Sequence, residues 1–263
     1  MIKNVFFLCV FLCTLNLFSN EWPNYGGPNR DQVSNETGLR IDWKKTDPEV
    51  IWDLEIGLGY SSVIYSNGFA FSQGYNDGRN TLYCVKSDSG EIIWEHSFPC
   101  EKDPKYFDGG SRSTPTIAGE MIFLCSHEGD LYALESKSGK VIWTKNLKTD
   151  FEGRRPTWGY SGSPLYIDNK LILETGSANG SVICLNAKTG DLIWKSGDSE
   201  AGYASPMLYR KEKDQILIFN QSGIVVHDLK SGNILGKYQH KTRYGINAAQ
   251  PITMGNRIFV SSA

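Results

Sequence analysis

Few side chains of this sequence have the types and spacing that catalysis needs. The segment Gly159-Tyr-Ser-Gly-Ser163 comes near the Gly-x-Ser-x-Gly elbow of serine hydrolases, but its second glycine stands one position early. The segment Gly57-Leu-Gly-Tyr-Ser-Ser62 lacks the third glycine of a dinucleotide-binding loop. Both segments precede predicted strands, whereas each motif requires a helix. The histidines are scattered and fit surface or turn positions: His96, His127, His227 and His240. We therefore predict no catalytic residue and no metal-binding residue.

A second group of aromatic and polar residues holds one place in a repeated unit, just before the first strand of each repeat. If the repeats form a ring, these residues converge at one mouth of its channel, where stacking and hydrogen bonding can hold a ligand or a peptide. The alternative is that they satisfy one another and plug the channel. The candidates are Tyr60, Arg112, Trp158, Tyr160, Tyr203, Arg243 and Asn247.

The repeat that positions these residues is marked by a glycine turn and a tryptophan. The segment Ala133-Leu-Glu-Ser-Lys-Ser-Gly-Lys-Val-Ile-Trp143 aligns with segments ending at Trp94 and Trp194, and with a fourth that ends at Gly236. Each Ser/Thr-Gly pair lies between two apolar runs, as a hairpin turn with positive φ requires. The turn glycines lie 49, 51 and 42 residues apart: Gly90, Gly139, Gly190 and Gly232.

Two further signals keep the same phase. A polar residue followed by proline opens a short strand in four repeats, with the prolines at Pro115, Pro164, Pro206 and Pro251. Ser62-Val63 holds the same place in the first repeat without a proline. Another glycine turn follows the openings of the first four repeats, at Gly78, Gly129, Gly180 and Gly223. One repeat thus contains four strands, which in the second repeat are expected at 114–118, 121–125, 131–135 and 140–144. Four antiparallel strands per ~45 residues predict an all-β propeller of four-stranded blades.

The tryptophans that close the repeats have a structural role in this prediction. The first strand of each repeat lies innermost, where small residues fit the crowded axis. The tryptophan lies on the outer strand, where its ring packs against the neighbouring blade. The docking residues are Trp52, Trp94, Trp143 and Trp194. Because Gly236 replaces the tryptophan of the fourth repeat, we expect a weaker contact there.

Three regions are predicted along the chain. Residues 1–20 form a signal peptide, because Lys3 precedes an apolar run that is too short to span a bilayer comfortably. Residues 21–47 form an irregular strap, and residues 48–263 form the propeller. A strand at 50–52 is expected to complete the last blade. Since the fifth repeat stops after two strands, we expect a truncated chain whose parent has seven or eight blades, about five being present here.

The predicted export sets expectations for the cysteines and the partners. Cys84, Cys100, Cys125 and Cys184 follow the signal segment, and an exported chain permits disulfides. Cys84 and Cys184 hold the repeat position of Ala133, so we expect them to be small buried residues of a strand. The net charge of -2 gives no reason to expect a nucleic-acid partner. No transmembrane span remains after signal cleavage. The expected location is the periplasm or the extracellular space.

The repeat resembles the pyrroloquinoline-quinone-like (PQQ-like) propeller repeat family, whose tryptophan-docking motif is Ala-x-Asp-x-x-Thr-Gly-x-x-x-Trp. The segment from Ala133 to Trp143 matches it with Glu135 for Asp and Ser138 for Thr, and the segment from Cys184 keeps the Thr, the Gly and the Trp. The opening Trp22-Pro-Asn-Tyr-Gly-Gly-Pro-Asn-Arg-Asp-Gln-Val-Ser34 is similar to the start of exported bacterial members from planctomycete-type genomes.

This resemblance implies a fold more specifically than a function. Quinoprotein dehydrogenases of the family hold PQQ between a tryptophan and two adjacent cysteines, beside calcium; this sequence has no adjacent cysteines. We therefore predict a non-catalytic binding or scaffolding module without a cofactor, whose partner is an unknown protein or small molecule. The alternative is a PQQ-dependent alcohol-type oxidoreductase with PQQ and calcium, part of whose site lies beyond Ala263. A third hypothesis is docking to an outer-membrane complex, but it has less support because the sequence has no lipid-anchoring cysteine at the predicted cleavage site.

Overall fold

The fold is built from successive antiparallel sheets, and its predicted class is confirmed. The computed structural model describes residues 21–40, 42–44, 47–104, 107–210 and 214–262. These residues form four four-stranded sheets and one hairpin, each with its strands in chain order. The predicted signal peptide, residues 1–20, lies outside the described residues. Within the described part, no helix is long and apolar enough to cross a bilayer.

Each sheet is one blade. Blade 1 comprises β1 (Ile64–Ser66), β2 (Phe69–Asn76), β3 (Arg79–Lys86) and β4 (Ile92–Pro99). Blade 2 comprises β5 (Thr116–Ala118), β6 (Met121–Cys125), β7 (Asp130–Glu135) and β8 (Val141–Asn146). Blade 3 comprises β9 (Leu165–Ile167), β10 (Lys170–Ser177), β11 (Gly180–Asn186) and β12 (Leu192–Ser196). Blade 4 comprises β13 (Met207–Arg210), β14 (Gln215–Asn220), β15 (Gly223–Asp228) and β16 (Ile234–Gln239), and the last hairpin comprises β17 (Ile252–Met254) and β18 (Arg257–Phe259).

The hydrophobic core lies between blades. Successive side chains of a strand point to opposite faces, so each central strand feeds two clusters. On β6, Ile122 and Leu124 pack towards blade 1, whereas Phe123 and Cys125 pack towards blade 3. Both faces are buried, which explains why a central strand such as β6 is a continuous apolar run.

Three docking tryptophans join one blade to the next through the glycine turn of the next blade, and Trp52 joins the segment before blade 1 to blade 1 in the same way. Trp94 of β4 lies against Gly139 of blade 2, where an added Cβ would come within 2.5 Å of the indole ring, and its Nε1 donates to the carbonyl of Ser136 at 3.0 Å. Gly139 has a φ of +69°, so the turn and the ring both require glycine. The same contact joins Trp52 to Gly90, Trp143 to Gly190, and Trp194 to Gly232. No heavy atom lies within 4 Å of a Cβ placed on Gly236.

The polar residue before each strand-opening proline links the innermost strands. The amide of Ser62 donates to Thr114 Oγ1 at 3.0 Å, and the amide of Thr114 donates to Ser163 Oγ at 2.9 Å. Ser163 and Ser205 continue this hydroxyl belt to Gln250. An innermost strand has no neighbour on one edge, so these side chains satisfy its otherwise unpaired amides. The sequence analysis explains the small residues here by crowding near the axis and does not predict their hydrogen bonds to these amides.

Several predicted strand bounds differ from the structure by one or two residues, and one predicted strand does not form among the described residues. The innermost strand of blade 2 begins at Thr116, because the amide of Thr114 bonds to the next blade and not to β6. No strand forms at 50–52 among the described residues, and Val50 and Ile51 are 75% and 78% exposed. Trp52 nevertheless occupies the docking position on blade 1, with its Nε1 2.9 Å from the carbonyl of Ser87.

The predicted strap crosses the end of the propeller where the innermost strands finish. Trp22 pairs with Tyr65, and the carbonyl of Pro23 accepts from the amide of Ile117 at 2.8 Å. From this strap Arg30, which is 5% exposed, extends among the innermost strands of three blades. Its guanidinium donates to the carbonyls of Pro206 (3.0 Å) and Pro164, and to Thr116 Oγ1 at 3.4 Å. One arginine of the strap thus holds blades 2, 3 and 4 together.

Candidate functional site

The candidate site lies at the other end of the innermost strands, in the loops that lead into them. Gly59 forms a parallel bridge with Ser111, and the amide of Tyr60 donates to the carbonyl of Ser111 at 2.7 Å. The loops of blades 1 and 2 are therefore joined by backbone hydrogen bonds before their strands begin. This fixed backbone positions the side chains at the mouth.

A row of partly exposed aromatic rings runs across these loops. Tyr60 and Phe107 meet edge to face, with ring centroids 5.6 Å apart. Trp158 and Tyr203 meet in the same way at 5.9 Å. The guanidinium of Arg112 lies 4.9 Å from the centre of the Phe107 ring, and the same group donates to the carbonyl of Trp158. Arg112 thus connects the two aromatic pairs, and we call these five residues the mouth row.

Arg112 is held in turn by a partly buried ion-pair network. Its Nη2 lies 3.0 Å from Asp103 Oδ2, and Arg155 pairs with the same carboxylate. Arg155 Nε also lies 2.7 Å from Glu128 Oε1, and Lys148 lies 2.7 Å from the other oxygen of Glu128. Burial alone would raise the pKa of Asp103, but hydrogen bonds from the two arginines outweigh it and lower the pKa. Both carboxylates are therefore charged and fully engaged at neutral pH.

A cysteine and a histidine lie beside this network without the properties of a catalytic pair. Cys100 Sγ is 3.9 Å from His127 Nδ1. Burial raises the pKa of Cys100 to about 12, whereas burial and the charge of Arg112 lower the pKa of His127 to about 4. An activated cysteine requires the opposite shifts, with a stabilised thiolate beside an imidazolium. The pair is therefore a neutral thiol beside a neutral imidazole. The cysteines among the described residues are free, and Cys84, Cys125 and Cys184 are buried.

The same network contains a set of possible metal ligands. Ligand atoms of Asp103, His127 and Glu128 lie within 4.8 Å of one another. However, the guanidinium of Arg155 pairs with both carboxylates, and Arg112 and Lys148 each pair with one of them, so cations already neutralise both. Calcium requires several oxygen ligands that are free to coordinate it. With Arg155 in place, this donor set does not fit calcium.

The structure brings together only part of the predicted mouth group. Tyr60, Arg112, Trp158 and Tyr203 belong to the mouth row. Tyr160 is 4% exposed and donates to the carbonyl of Thr175 at 3.0 Å, so it packs in the core between blades 2 and 3. Asn247 is fully buried, and its Nδ2 donates to the carbonyl of Asn220 at 2.7 Å. The guanidinium of Arg243 lies 5.2 Å from the ring centre of its neighbour Tyr244.

Sequence reasoning missed three residues of this region. Phe107 and Asp103 lie in the long connection between blades 1 and 2, and Arg155 lies in the connection before Trp158. The turn-glycine spacings of 49 and 51 residues exceed the spacing of 42 that follows, and this extra length is the signal that marks these two connections.

Comparison with known proteins agrees with this architecture. The family profile described as outer membrane protein assembly factor BamB matches residues 33–150 and 78–263. The protein of that name from Shewanella oneidensis is 25% identical over 239 residues, which is 87% of this chain and 55% of that protein. The quinohemoprotein alcohol dehydrogenase ADH IIB of Pseudomonas putida is 32% identical over 221 residues, which is 73% of this chain and 29% of that protein.

A solved structure gives the same fold. The quinohemoprotein alcohol dehydrogenase from Comamonas testosteroni superposes with a TM-score of 0.64 at 15% identity, over 91% of this chain and 45% of that chain. The chain spans about half or less of the length of these relatives. Repeat motif, blade topology and profile match agree: this chain belongs to the PQQ-like β-propeller repeat family whose profile is described as outer membrane protein assembly factor BamB.

Proposed function

We propose that this chain is an exported, non-catalytic propeller that holds a partner protein at the mouth row. The observation that carries the proposal is the connection of two edge-to-face aromatic pairs through Arg112, whose guanidinium contacts both Phe107 and the backbone of Trp158. Rigid aromatic side chains give large contact areas at low entropic cost and dominate protein interfaces. Relatives in the BamB family are named for assembly at the outer membrane, which supports a partner in the cell envelope.

The charges beneath the row support binding over catalysis. A general base must reach a substrate proton with a free lone pair and a suitable pKa. Asp103 and Glu128 are instead paired with cations, and His127 is 1% exposed. In this arrangement the ion pairs serve to hold Arg112, and through it the aromatic rings, in one geometry.

The second candidate is a PQQ-dependent alcohol oxidoreductase, which the identity with ADH IIB favours. The residues present do not fit that site, because Arg155 pairs with the carboxylates and Arg30 extends among the innermost strands of three blades. Titration with PQQ and calcium, followed by absorbance and dye-linked alcohol oxidation, separates the two functions. The proposal predicts no saturable binding and no turnover; saturable binding with alcohol oxidation would establish the second candidate.

Site-specific photocrosslinking in intact bacterial cells tests the proposed binding surface. A benzoylphenylalanine replaces Tyr60, which is 59% exposed in the mouth row, or Tyr238, which is 66% exposed on the outer strand of blade 4. We expect a discrete crosslinked product from position 60 and none from position 238. The matched exposure of the two positions controls for random encounters.

A second variant links the crosslink to the geometry of the row. Trp158→Ala in the position-60 protein removes one ring without touching the photoreactive group, and we expect the product to fall at least fivefold. Equal products from positions 60 and 238, or a product that is insensitive to Trp158→Ala, would refute the proposal.

A further inference from the structure

The cleft between blades 1 and 2 opens at the strap end of the propeller, away from the mouth row. Its volume is about 630 Å³, within the range of small-molecule sites. The cleft is mainly apolar, with polar groups at its edge, and its principal lining residues are Phe69, Phe71, Ile93, Ile117, Asn67 and Lys137. Lys137 is 3.6 Å from Glu120, and both side chains are highly exposed, so neither closes the cleft.

The repeat shows what fills the corresponding space between blades 2 and 3. There the Phe123 ring has two aromatic neighbours, Trp143 at 6.1 Å and the partly exposed Tyr166 at 6.0 Å. The rings of Phe123 and Tyr166 are nearly parallel, with an interplanar angle of 16°. The Tyr166 side chain is presented by a strand of the following blade, β9.

Between blades 1 and 2 only the first two members of this trio are present. Phe71 and Trp94 lie 5.9 Å apart, as Phe123 and Trp143 do one blade later. The third position belongs to Ile117, which pairs with Ile122 just as Tyr166 pairs with Leu171. Ile117 has no ring to stack on Phe71. Compared with the interface between blades 2 and 3, the cleft therefore lacks one aromatic ring.

We infer that this cleft binds the aromatic ring of a tyrosine or phenylalanine side chain from a partner protein. The chemistry of the ligand follows from the internal repeat, since the ring in the equivalent space is a phenol stacked on a phenylalanine. The repeat also indicates where the ring comes from. The phenol of Tyr166 is presented by a polypeptide strand, and the cleft opens to the protein surface, where a strand of another protein can reach it. This site is independent of the mouth row, and either can fail without the other.

The test follows two matched methyl groups by NMR of the isotope-labelled chain. Ile93 lines the cleft, and Ile142 precedes Trp143 as Ile93 precedes Trp94, so it reports on the space that Tyr166 fills. The probes are p-cresol and the blocked tripeptide acetyl-Gly-Tyr-Gly-amide. For a fragment of this size we expect a dissociation constant on the order of 1 mM. Both probes should shift the Ile93 methyl saturably and leave Ile142 unchanged.

Two reciprocal variants decide whether the absent ring is the reason that the cleft binds the probes. Ile117→Tyr supplies the ring and should abolish the Ile93 shift. Tyr166→Ile removes the ring one blade later and should create a second site, so that Ile142 shifts as well. If Ile117→Tyr fails to fold, the result for Tyr166→Ile decides.

Several outcomes would overturn the inference. These are no saturable shift of Ile93 in the wild type, an unchanged shift in a folded Ile117→Tyr variant, or no shift of Ile142 in Tyr166→Ile. Binding of p-cresol without the tripeptide would make the ligand a free aromatic molecule and refute the partner side chain. Self-association that is lost in Ile117→Tyr would make a second copy of this chain the occupant and refute it as well.

Discussion

Replacing Arg30 with methionine should loosen the strap and destabilise three blades at once. The guanidinium donates to carbonyls of blades 3 and 4, including that of Ser163 at 3.4 Å, and to a hydroxyl of blade 2. Hydrogen bonds from a charged donor contribute about 1.5–3 kcal/mol each, and a buried carbonyl that loses its donor costs about 1–3 kcal/mol. Against this, burying the guanidinium costs several kcal/mol, and burial lowers the pKa of Arg30.

The balance gives a net loss of about 3 kcal/mol for Arg30→Met. In a domain of this size each kcal/mol lowers the unfolding midpoint by about 2–4 °C, so we expect a decrease of about 10 °C. Thermal unfolding followed by circular dichroism measures it. Arg243→Met is the matched control, because Arg243 is exposed and stacks on its neighbour Tyr244.

Hydrogen exchange shows whether the strap itself is released. The amides of Tyr65 and Ile117 bond to strap carbonyls, and they should exchange faster in Arg30→Met, whereas the amide of Leu134 in β7 should not. An Arg30→Met protein that unfolds within 2 °C of the wild type, with unchanged exchange at Tyr65 and Ile117, would refute the assigned role of Arg30.

Three further predictions concern the blade contacts and the buried histidine. Gly139→Ala places a Cβ within 2.5 Å of the Trp94 ring and should lower the free energy of unfolding in urea by about 3 kcal/mol. Gly119 has a similar φ and no atom within 4 Å of an added Cβ, so Gly119→Ala should cost only about 1 kcal/mol, and equal costs would contradict the docking role of Trp94. Thr114→Val leaves the amide of Ser62 without its acceptor and should lower the free energy of unfolding by about 1–2 kcal/mol by the same method. Thr114→Ser keeps the hydroxyl and should cost less than half as much, whereas identical losses would exclude the hydroxyl belt. Burial lowers the pKa of His127 to about 4, so the unfolded chain binds a proton at a higher pH than the folded chain, and the free energy of unfolding should fall by about 3 kcal/mol between pH 6.5 and 4. In His127→Asn this fall should be smaller by that amount, and an unchanged pH profile would contradict the lowered pKa.

The blade architecture could be predicted because local signals repeat. Each Ser/Thr-Gly turn has positive φ at its glycine, and each central strand buries residues on both faces, so turn and strand signals agree in every repeat. The strand bounds of blade 2 were accurate within two residues, and Thr114 marks where the prediction differed. There a hydroxyl of another blade captures the amide, and no local pattern encodes that contact.

The mouth was less predictable because it depends on contacts between distant residues. Tyr160 and Asn247 have the residue types of a binding site, but buried backbone carbonyls claim their polar atoms. Arg30 lies in a segment without strand periodicity, and its partners are 86 to 176 residues away. Glycine spacing indicates that an extra loop exists, but it cannot indicate that Asp103 in this loop meets two arginines.

The measurement that tests the central claim most directly is the affinity of this chain for the partner protein that is photocrosslinked at position 60. Isothermal titration compares the wild-type chain, Trp158→Ala and Tyr238→Ala at one salt concentration. If the mouth row carries the binding, Trp158→Ala weakens the affinity at least tenfold, or about 1.4 kcal/mol, and Tyr238→Ala changes it less than twofold. Equal affinities for the wild type and Trp158→Ala would contradict the claim that this propeller binds through its mouth row.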